Sequence, residues 1–462
     1  MTRVAVVGGG ISGLTAAYRL RRALGHHAQI DLLEAGERLG GDLRTLEVGG
    51  QHVDVGAEAF IVRRPEALAL ITELGLSDRV VSPTPRRPAV WAGGRLHPMP
   101  TPALMGIPVD AEAVAGLADP ADLDRIRAEP ERALGWNADS APTVGELVAD
   151  RFGPSVVARS VDPMLGGVYS SLAGDIGVRE SIPALAARLD AGAPSLSAAV
   201  ADLTSPATGS GPVFGTLTGG YSVLLDTLVD AAGIEPQFCS FVRGATPRSD
   251  GWTLDLGDRA TDYDGVVLAT PAWLAGHILR RSLPDLAAPL IAVERASSVV
   301  VSIALAPGTP LPDHSGVLVA TGDSLRAKAF TFSSQKWPHL SGDDRPVSVR
   351  ASFGRFGASV PDDCIEGGVD TRIRDEALED LDEVCRAAGV PAPSARVTDA
   401  FVQHWTNGLP VYRPGHLAAM ADVLASRPAR LTFAGSAYAG VGVPACIGQA
   451  GRAVTDLLAD LT

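Results

Sequence analysis

The sequence predicts an α/β fold, and three observations carry that prediction. A short apolar, β-rich run, "RVAVVG", leads straight into Gly8, Gly10 and Gly13, which fit G-x-G-x-x-G. A helical pattern, "LTAAYRLRRAL", comes next, and a second strand, "AQIDLLEA", ends in Glu34, 21 residues after Gly13. Far along the chain, "RLTFAGSAYAGVGVPACIGQAGRAV" reads again as strand, glycine loop and helix. Strand, glycine turn and helix in that order, with an acid closing the second strand, predict a Rossmann-like nucleotide-binding unit.

Each element has a physical task. Gly8 permits the tight turn, Gly10 lets a pyrophosphate approach the backbone, and Gly13 lets the helix pack closely on the strand. Ile11 and Ser12 open that helix, whose free N–H groups and positive dipole face an anion. Glu34, followed by Ala35, is placed to meet a ribose hydroxyl. Just beyond, "EAGERLGGDLRT" carries Arg38, Gly40 and Gly41. This resembles the R-x-G-G segment of the FAD-dependent amine oxidase superfamily, whose paired glycines pass close to the flavin diphosphate. In the C-terminal loop, Gly435, Gly440 and Gly442 allow close backbone approach, with Ser436 beside them. The helix opening at Val443 and Pro444, with Ile447 in its first turn, points its positive end at the ligand. A reduced flavin is anionic around N1/O2. Two glycine loops flanking one chain suit one long cofactor held at both ends, which is FAD.

Composition narrows the class. The 462 residues are 46% hydrophobic and 20% charged, with a formal net charge of −14. Large buried cores are affordable, and nucleic acid is excluded as the main partner because phosphate binding needs clustered cations. The only lysines are Lys328 and Lys336, so nearly all positive charge is arginine, whose planar fork suits carboxylates. Cys239, Cys364, Cys385 and Cys446 are scattered without a C-x-x-C, so neither a disulfide framework nor a metal site is expected. No signal peptide and no membrane-spanning run is evident, so a cytoplasmic location is expected, with peripheral membrane contact left open.

The chain weaves between domains. Residues 1–85, 213–285 and 428–462 are assigned to the FAD-binding domain. Residues 86–212, rich in Ala, Pro, Asp and Arg at helical spacing, form a helical insertion. Residues 286–427 hold strand signals ("SSVVVSIALA", "HSGVLVA", "KAFTFSS", "VSVRASFGRF") and one helix, "DTRIRDEALEDLDEVCRAAG", and are read as an interwoven antiparallel-sheet substrate domain. "TDYDGVVLATPA" is read as one strand ending near the cofactor. The cleft between the domains is the expected site.

More of the chain then matches a narrower group. "VDVGAEAFIVRRPEALALITELGL", "GGRLHPMP", "LGGVYSS", "TLTGGYSVLLDTL", "SSQKWPH", "LPVYRPGH" and "AGSAYAGVGVPACI" together resemble the oxygen-dependent protoporphyrinogen/coproporphyrinogen oxidases of haem synthesis, in their Gram-positive, actinobacterial form. The resemblance covers essentially the whole chain. It implies a six-electron oxidation of a porphyrinogen, coproporphyrinogen III in that branch, in three two-electron steps. Hydride passes to the flavin, and each reduced flavin is reoxidised by O2 to give H2O2. The demands are a dry flat chamber, a tightly held flavin and anchors for propionates.

On that resemblance Arg64, beside Arg63, is assigned to a propionate. Gly167 is assigned to a backbone carbonyl near the reacting meso carbon, with Tyr169 at the chamber wall. Lys336 is placed near flavin N5. Gly56, Ala57, Glu58, Trp405 and Val242 complete the cofactor set, Val242 at the adenine end. His339 and His416 are read as proton carriers or structural histidines. Two positions depart from the pattern. Asp42 stands where Lys or Arg is usual, and a carboxylate there repels the diphosphate unless Arg38 or Arg44 pairs with it. "VYSS" replaces the more usual "VYAG". Protoporphyrinogen IX oxidase, an amine oxidase of the same fold, and a flavin-loaded carrier remain alternatives. The porphyrinogen reading leaves room for transient contact with a ferrochelatase.

Overall fold

The computed structural model describes residues 1–205, 211–358 and 369–462. Strand Arg3–Val7 is apolar on both faces because it is central in a four-stranded parallel sheet. The order is Gln29–Leu33, Arg3–Val7, Gly265–Leu268, Leu431–Phe433, drawn from three distant parts of the chain. Helix Ile11–Leu24 begins at Gly10 and stops at Gly25, whose φ of 71° halts the helix at no steric cost. It packs against helices Ser222–Ala232 and Val443–Leu461, and Leu14, Leu20, Leu224, Leu228, Ile447 and Leu457 share their core. The opposite face of the parallel sheet is covered by an antiparallel sheet of Gly244–Pro247, Trp252–Asp255 and Ala260–Tyr263 around the buried Trp252. The α/β unit expected from the glycine motif is therefore present.

One expected strand is two. "TDYDGVVLATPA" divides at Asp264 into Ala260–Tyr263 and Gly265–Leu268, which belong to different sheets. Asp264 is the crossing point: its N–H donates to the Arg3 carbonyl at 2.8 Å and its Oδ2 accepts from the Arg3 N–H at 2.7 Å.

The second domain is a seven-stranded sheet in the order Val397–Pro410, Arg295–Leu305, Val347–Phe353, Ala329–Thr331, Gly316–Val319, Ala89–Ala92, Arg95–Pro98. Side-chain alternation sorts its residues. Val299, Val301, Ile303, Val349 and Ala351 pack under helix Val369–Ala387. Ala304, Phe401 and Trp405 point to the other face, against Val48, Val53 and Val55 of the nucleotide domain.

Two of the seven strands come from residues 89–98, which the sequence reading assigned to the helical insertion, so its boundary lies further on. The physical signal is "AVWAGGRLHP": Gly93 and Gly94 have φ of 59° and 73°, the pair a two-residue hairpin turn demands. Ala89–Ala92 runs parallel to Gly316–Val319, the one parallel pairing of that sheet. After a short hairpin of Ala103–Leu104 and Ile107–Pro108, the described part of the insertion is mainly helical, with helices Pro120–Ala128, Val144–Phe152, Asp162–Tyr169, Pro183–Asp190 and Leu196–Thr204 around one apolar core.

Inside that helical domain Arg151 and Glu129 form an ion pair with exposures of 2% and 0%. Each half is also satisfied by backbone: Arg151 donates to the carbonyls of Glu129, Arg132 and Ala133, and Glu129 accepts from the N–H groups of Leu196 and Ser197. Cys385 and Cys446 are buried free thiols and Cys239 is an exposed one, while Cys364 lies outside the described residues. Among the described residues no helix is long and apolar enough to cross a membrane, and no group of His, Cys, Asp and Glu could hold a metal ion.

Removing one partner of a fully buried pair strands the other charge. Arg151→Met is expected to destabilise the protein by about 3–5 kcal/mol, read as a lower urea midpoint.

Candidate cofactor and substrate site

The C-terminal ends of the parallel strands deliver the site. Gly8, Ala269–Thr270 and Ala434–Gly435 lie side by side there, the edge where open α/β sheets bind ligands. Gly8 has φ of 106°, and a Cβ on it would lie 2.7 Å from the Ala269 carbonyl oxygen. At Gly13 a Cβ would lie 1.9 Å from the Gly8 carbonyl oxygen, so strand and helix meet only because neither residue has a side chain. The R-x-G-G segment folds back on this turn: Gly40 bridges Gly10, and its N–H donates to the Gly9 carbonyl at 2.8 Å. Arg38 donates to the carbonyls of Leu39, Gly41 and Leu43, which fixes the loop it opens.

Glu34 closes its strand as expected from spacing. Its Oε2 accepts from the Gly9 N–H at 2.6 Å and its Oε1 from the Gly36 N–H at 2.7 Å, so Ala35 sits inside a clamped turn. The chain around residues 237–242 runs alongside, with Ser240 donating to the Glu34 carbonyl at 2.9 Å. Val242 itself is core, packed with Val7 and Leu33.

The C-terminal loop approaches from the other side. Gly435 and Gly440 have φ of 143° and 127°. Helix Val443–Leu461 starts at Gly442 with no side-chain cap, as helix Ile11–Leu24 starts at Gly10, so both present open N–H groups. Val443, Pro444 and Ile447 are buried in its first turns, and Ser12 of the first helix hydrogen-bonds Cys446 of the last. Ser436 uses its carbonyl to accept from the Tyr412 hydroxyl, which in turn accepts from the Gly440 N–H at 2.8 Å. His416 stacks on Tyr412 at 4.4 Å and bonds the Ala437 carbonyl at 2.7 Å. Burial lowers its pKa, so "VYRPGH" works as a structural clip on the glycine loop, with His416 in the structural role.

A cluster of charges joins the two domains. Glu58 contacts Lys336 at 2.9 Å, the Ser333 hydroxyl at 2.5 Å and Arg350 at 3.7 Å. Burial opposes its ionisation, but these partners outweigh burial and hold its carboxyl at about 2. Arg350 also donates to the Gly56 carbonyl at 2.5 Å. Lys336 lies over the Trp337 ring at 4.7 Å and is committed to Glu58. Gly56 has no room for a side chain: a Cβ would lie 2.0 Å from the Asp42 carbonyl oxygen and 3.0 Å from Trp405. Ala57 donates to that same carbonyl, and the Trp405 indole donates to the Val55 carbonyl at 3.0 Å beneath the Arg38 guanidinium.

Asp42 keeps solvent access, with its Oδ1 3.4 Å from where a Cβ on Gly408 would be. Burial pushes its carboxyl up to about 6, against the pull of Arg38. Neither Arg38 nor Arg44 makes a salt bridge to it; Arg44 donates to Gln403 instead. The repulsion expected at this position is thus met by partial neutralisation rather than by pairing.

Arg64 caps helix Pro65–Glu73, reaches Glu66 at 3.2 Å, and lies 3.5 Å from where a Cβ on Gly440 would be. It also faces Tyr169 and Tyr412 electrostatically. Gly167 is exposed on the last turn of helix Asp162–Tyr169, opposite Leu318 of the sheet domain. Arg63 is exposed and donates to the Gly211 carbonyl. Burial lowers the pKa of His339.

Residues 11–458 match the family model described as flavin containing amine oxidoreductase. The chain belongs to the flavin-containing amine oxidoreductase family. It is 47% identical to the coproporphyrinogen III oxidase of Mycobacterium leprae, over 99% of this chain and 98% of that one. To the coproporphyrinogen III oxidase of Bacillus subtilis it is 26% identical, over 98% and 97%. A solved structure described as a protoporphyrinogen oxidase from Exiguobacterium superposes with a TM-score of 0.84 at 26% identity, covering 100% of this chain and 99% of that one. Cyclohexylamine oxidase from Brevibacterium oxydans reaches 0.69 at 18% identity, over 100% and 98%, and shares the fold.

The residues of this amine oxidoreductase fit a flavin. Two uncapped helix N-termini meet one glycine-lined slot, where a Cβ on Gly41 would lie 3.3 Å from the Gly10 Cα. The Thr270 hydroxyl beside Gly435 is buried without a partner. Sequence reasoning missed Ser333, Arg350 and Tyr412. Ser333 stands three residues before Lys336 in a motif already singled out, and Arg350 is the lone cation in an apolar strand, so both carried a signal.

Gly13→Ala is expected to yield protein without bound flavin, measured as loss of absorbance near the flavin maximum relative to protein. Asp42 titrates above its ordinary value in the folded chain, so its contribution is full below that value and is lost as pH rises through about 6. Asp42→Asn should therefore raise the thermal midpoint at pH 8 and leave it unchanged at pH 4.

Proposed function

We propose that the chain is an FAD-dependent coproporphyrinogen III oxidase, converting coproporphyrinogen III and three O2 to coproporphyrin III and three H2O2. The observation that carries this reading is the full-length 47% identity to a protein named for that activity, joined to a slot open at both ends of a dinucleotide. FAD is favoured over a mononucleotide because Glu34 and the 237–242 loop extend the slot well past the first helix N-terminus.

When bound, the flavin accepts two electrons per step and returns them to O2. The chain's own residues do the rest. The open N–H groups at Val443–Leu461 favour negative charge on the ring they face. Glu58, held ionised by Lys336 and Arg350, fixes the loop that carries Gly56 and Ala57. Trp405 walls the slot. Gly167, at a helix C-terminus, offers carbonyl oxygens that carry partial negative charge and lie opposite the sheet domain. Arg64 stands where one propionate carboxylate can be taken by its fork. A location in the cytoplasm and transient delivery of the porphyrin to a ferrochelatase complete the reading.

Porphyrin fluorescence in air, with coproporphyrinogen III and protoporphyrinogen IX in parallel, tests the assignment. Oxidation of the four-propionate substrate above background, with three H2O2 per porphyrin, is the expected outcome; a yellow protein that oxidises neither sinks it. Arg64→Ala should raise KM for coproporphyrinogen III by about tenfold or more, the worth of one charge-assisted pair, with a smaller change in kcat.

A further inference from the structure

A cavity of about 320 Å³ opens where the sheet domain meets the helical domain, lined by Arg295, Ser297, Arg355, His404, Thr406 and Asn407 among others. It adjoins the residues already placed at the site. Thr406 and Asn407 follow Trp405 directly. Phe356, also in its wall, donates its N–H to the Ser170 carbonyl at 2.6 Å, at the end of the helix that carries Gly167. Arg355 Nε lies 3.3 Å from where a Cβ on Gly166 would be.

Among the described residues the lining gathers two guanidiniums and one imidazole, and only the imidazole has a carboxylate partner, Asp370 at 2.8 Å from His404. Among the described residues neither Arg295 nor Arg355 makes a salt bridge. The Arg295 guanidinium stacks on Trp273 at 4.7 Å, and its N–H groups have no acceptor among the described residues. Arg355 spends one N–H on the Val319 carbonyl at 3.1 Å, and its Nε is buried without a partner. Lys328 sits behind it, 7% exposed, donating to Ser170 Oγ and the Gly354 carbonyl at 2.7 Å each. Ser170 belongs to "VYSS", the departure noted from sequence. Arg355 interacts electrostatically with Asp162, whose carboxyl burial pushes up. Burial first, and the nearby Arg355 second, lower Lys328 to about 7.

Asn407 is held in the left-handed region at φ of 55°, in a bulge where the pairing of Val397–Pro410 with Arg295–Leu305 slips between Ala296 and Ser298. Its N–H is fixed by Ser297 Oγ at 2.9 Å.

We propose that this cavity is a second carboxylate subsite, in which Arg295 and Arg355 take propionates of the porphyrin at a position separate from Arg64. The inference rests on the porphyrinogen reading above. It makes these two arginines determinants of the preference for a four-carboxylate over a two-carboxylate porphyrin. A propionate there meets the buried Arg355 Nε, which has no hydrogen-bond partner among the described residues.

The test uses the flavin-loaded protein and two probes, coproporphyrin III and its tetramethyl ester, with Kd read by fluorescence quenching. Wild type is expected to prefer the acid, and Arg295→Gln and Arg355→Gln each to shrink the acid-over-ester ratio by about 10- to 100-fold, the worth of a charge-assisted hydrogen bond. Arg295→Lys should restore part of the ratio, and retention of the flavin spectrum shows that a variant has folded. If Arg355→Gln loses its flavin, Arg295→Gln at the cavity wall carries the test alone. Turnover of coproporphyrinogen III by wild type with an unchanged ratio in the variants overturns the subsite and leaves the function standing. A wild type that oxidises no porphyrinogen overturns the function; the same binding ratios then decide the subsite separately, and an absent acid preference removes it too.

Discussion

Glu58 is the point on which the two domains turn. It comes from the loop after Gln51–Asp54, in the nucleotide half, and its three partners Ser333, Lys336 and Arg350 all come from the sheet half. Burying a carboxylate is costly, and the cost is met only when several donors converge on it. Here they converge well enough to hold the carboxyl near 2. A cleft between two domains keeps one geometry only if something crosses it, and this cluster does so at the level of Gly56, where the backbone cannot carry a side chain. Lys336 is better understood within that cluster than as an isolated amine waiting beside a ring.

The cofactor slot is a consequence of missing atoms. Gly8 against Ala269, Gly13 against Gly8 and Gly56 against Asp42 are approaches of backbone on backbone that a methyl group would prevent. The same economy leaves the starts of helices Ile11–Leu24 and Val443–Leu461 without side-chain caps. Uncapped N-termini are a liability in a closed core and an asset at an anion site. The Tyr412–His416 clip then fixes the second glycine loop at Ser436, Ala437 and Gly440.

Charge is distributed by sign across the site. The chain is acidic overall, at −14, yet Arg295 and Arg355 share one cavity, with Arg355 beside Gly166 and Lys328 bonded to Ser170 at the end of the same helix. Asp42 is the exception, and its raised carboxyl softens its effect on a diphosphate. An acidic protein with a locally cationic chamber suits a polyanionic small molecule and disfavours nucleic acid, whose phosphates would meet the negative surface first.

The sequence by itself determined the local units. G-x-G-x-x-G after an apolar strand, Glu34 at the next strand's end, and glycines before Val443 specify strand–turn–helix geometry through short-range sterics, and the structure has all of them. The family was equally legible, because its motifs are contiguous. What the sequence could not determine were relations between segments far apart in the chain. It placed residues 89–98 in the helical insertion although Gly93–Gly94 marked a hairpin, because nothing local says which sheet a hairpin joins. It joined Ala260–Leu268 into one strand, because the change of sheet at Asp264 depends on Arg3. It named Glu58, Lys336 and Trp405 separately and could not see that the first two pair. Tertiary structure alone put Arg295 and Arg355 on one cavity with a salt bridge to neither among the described residues, since a charge's partner is decided by packing in space and not by spacing along the chain.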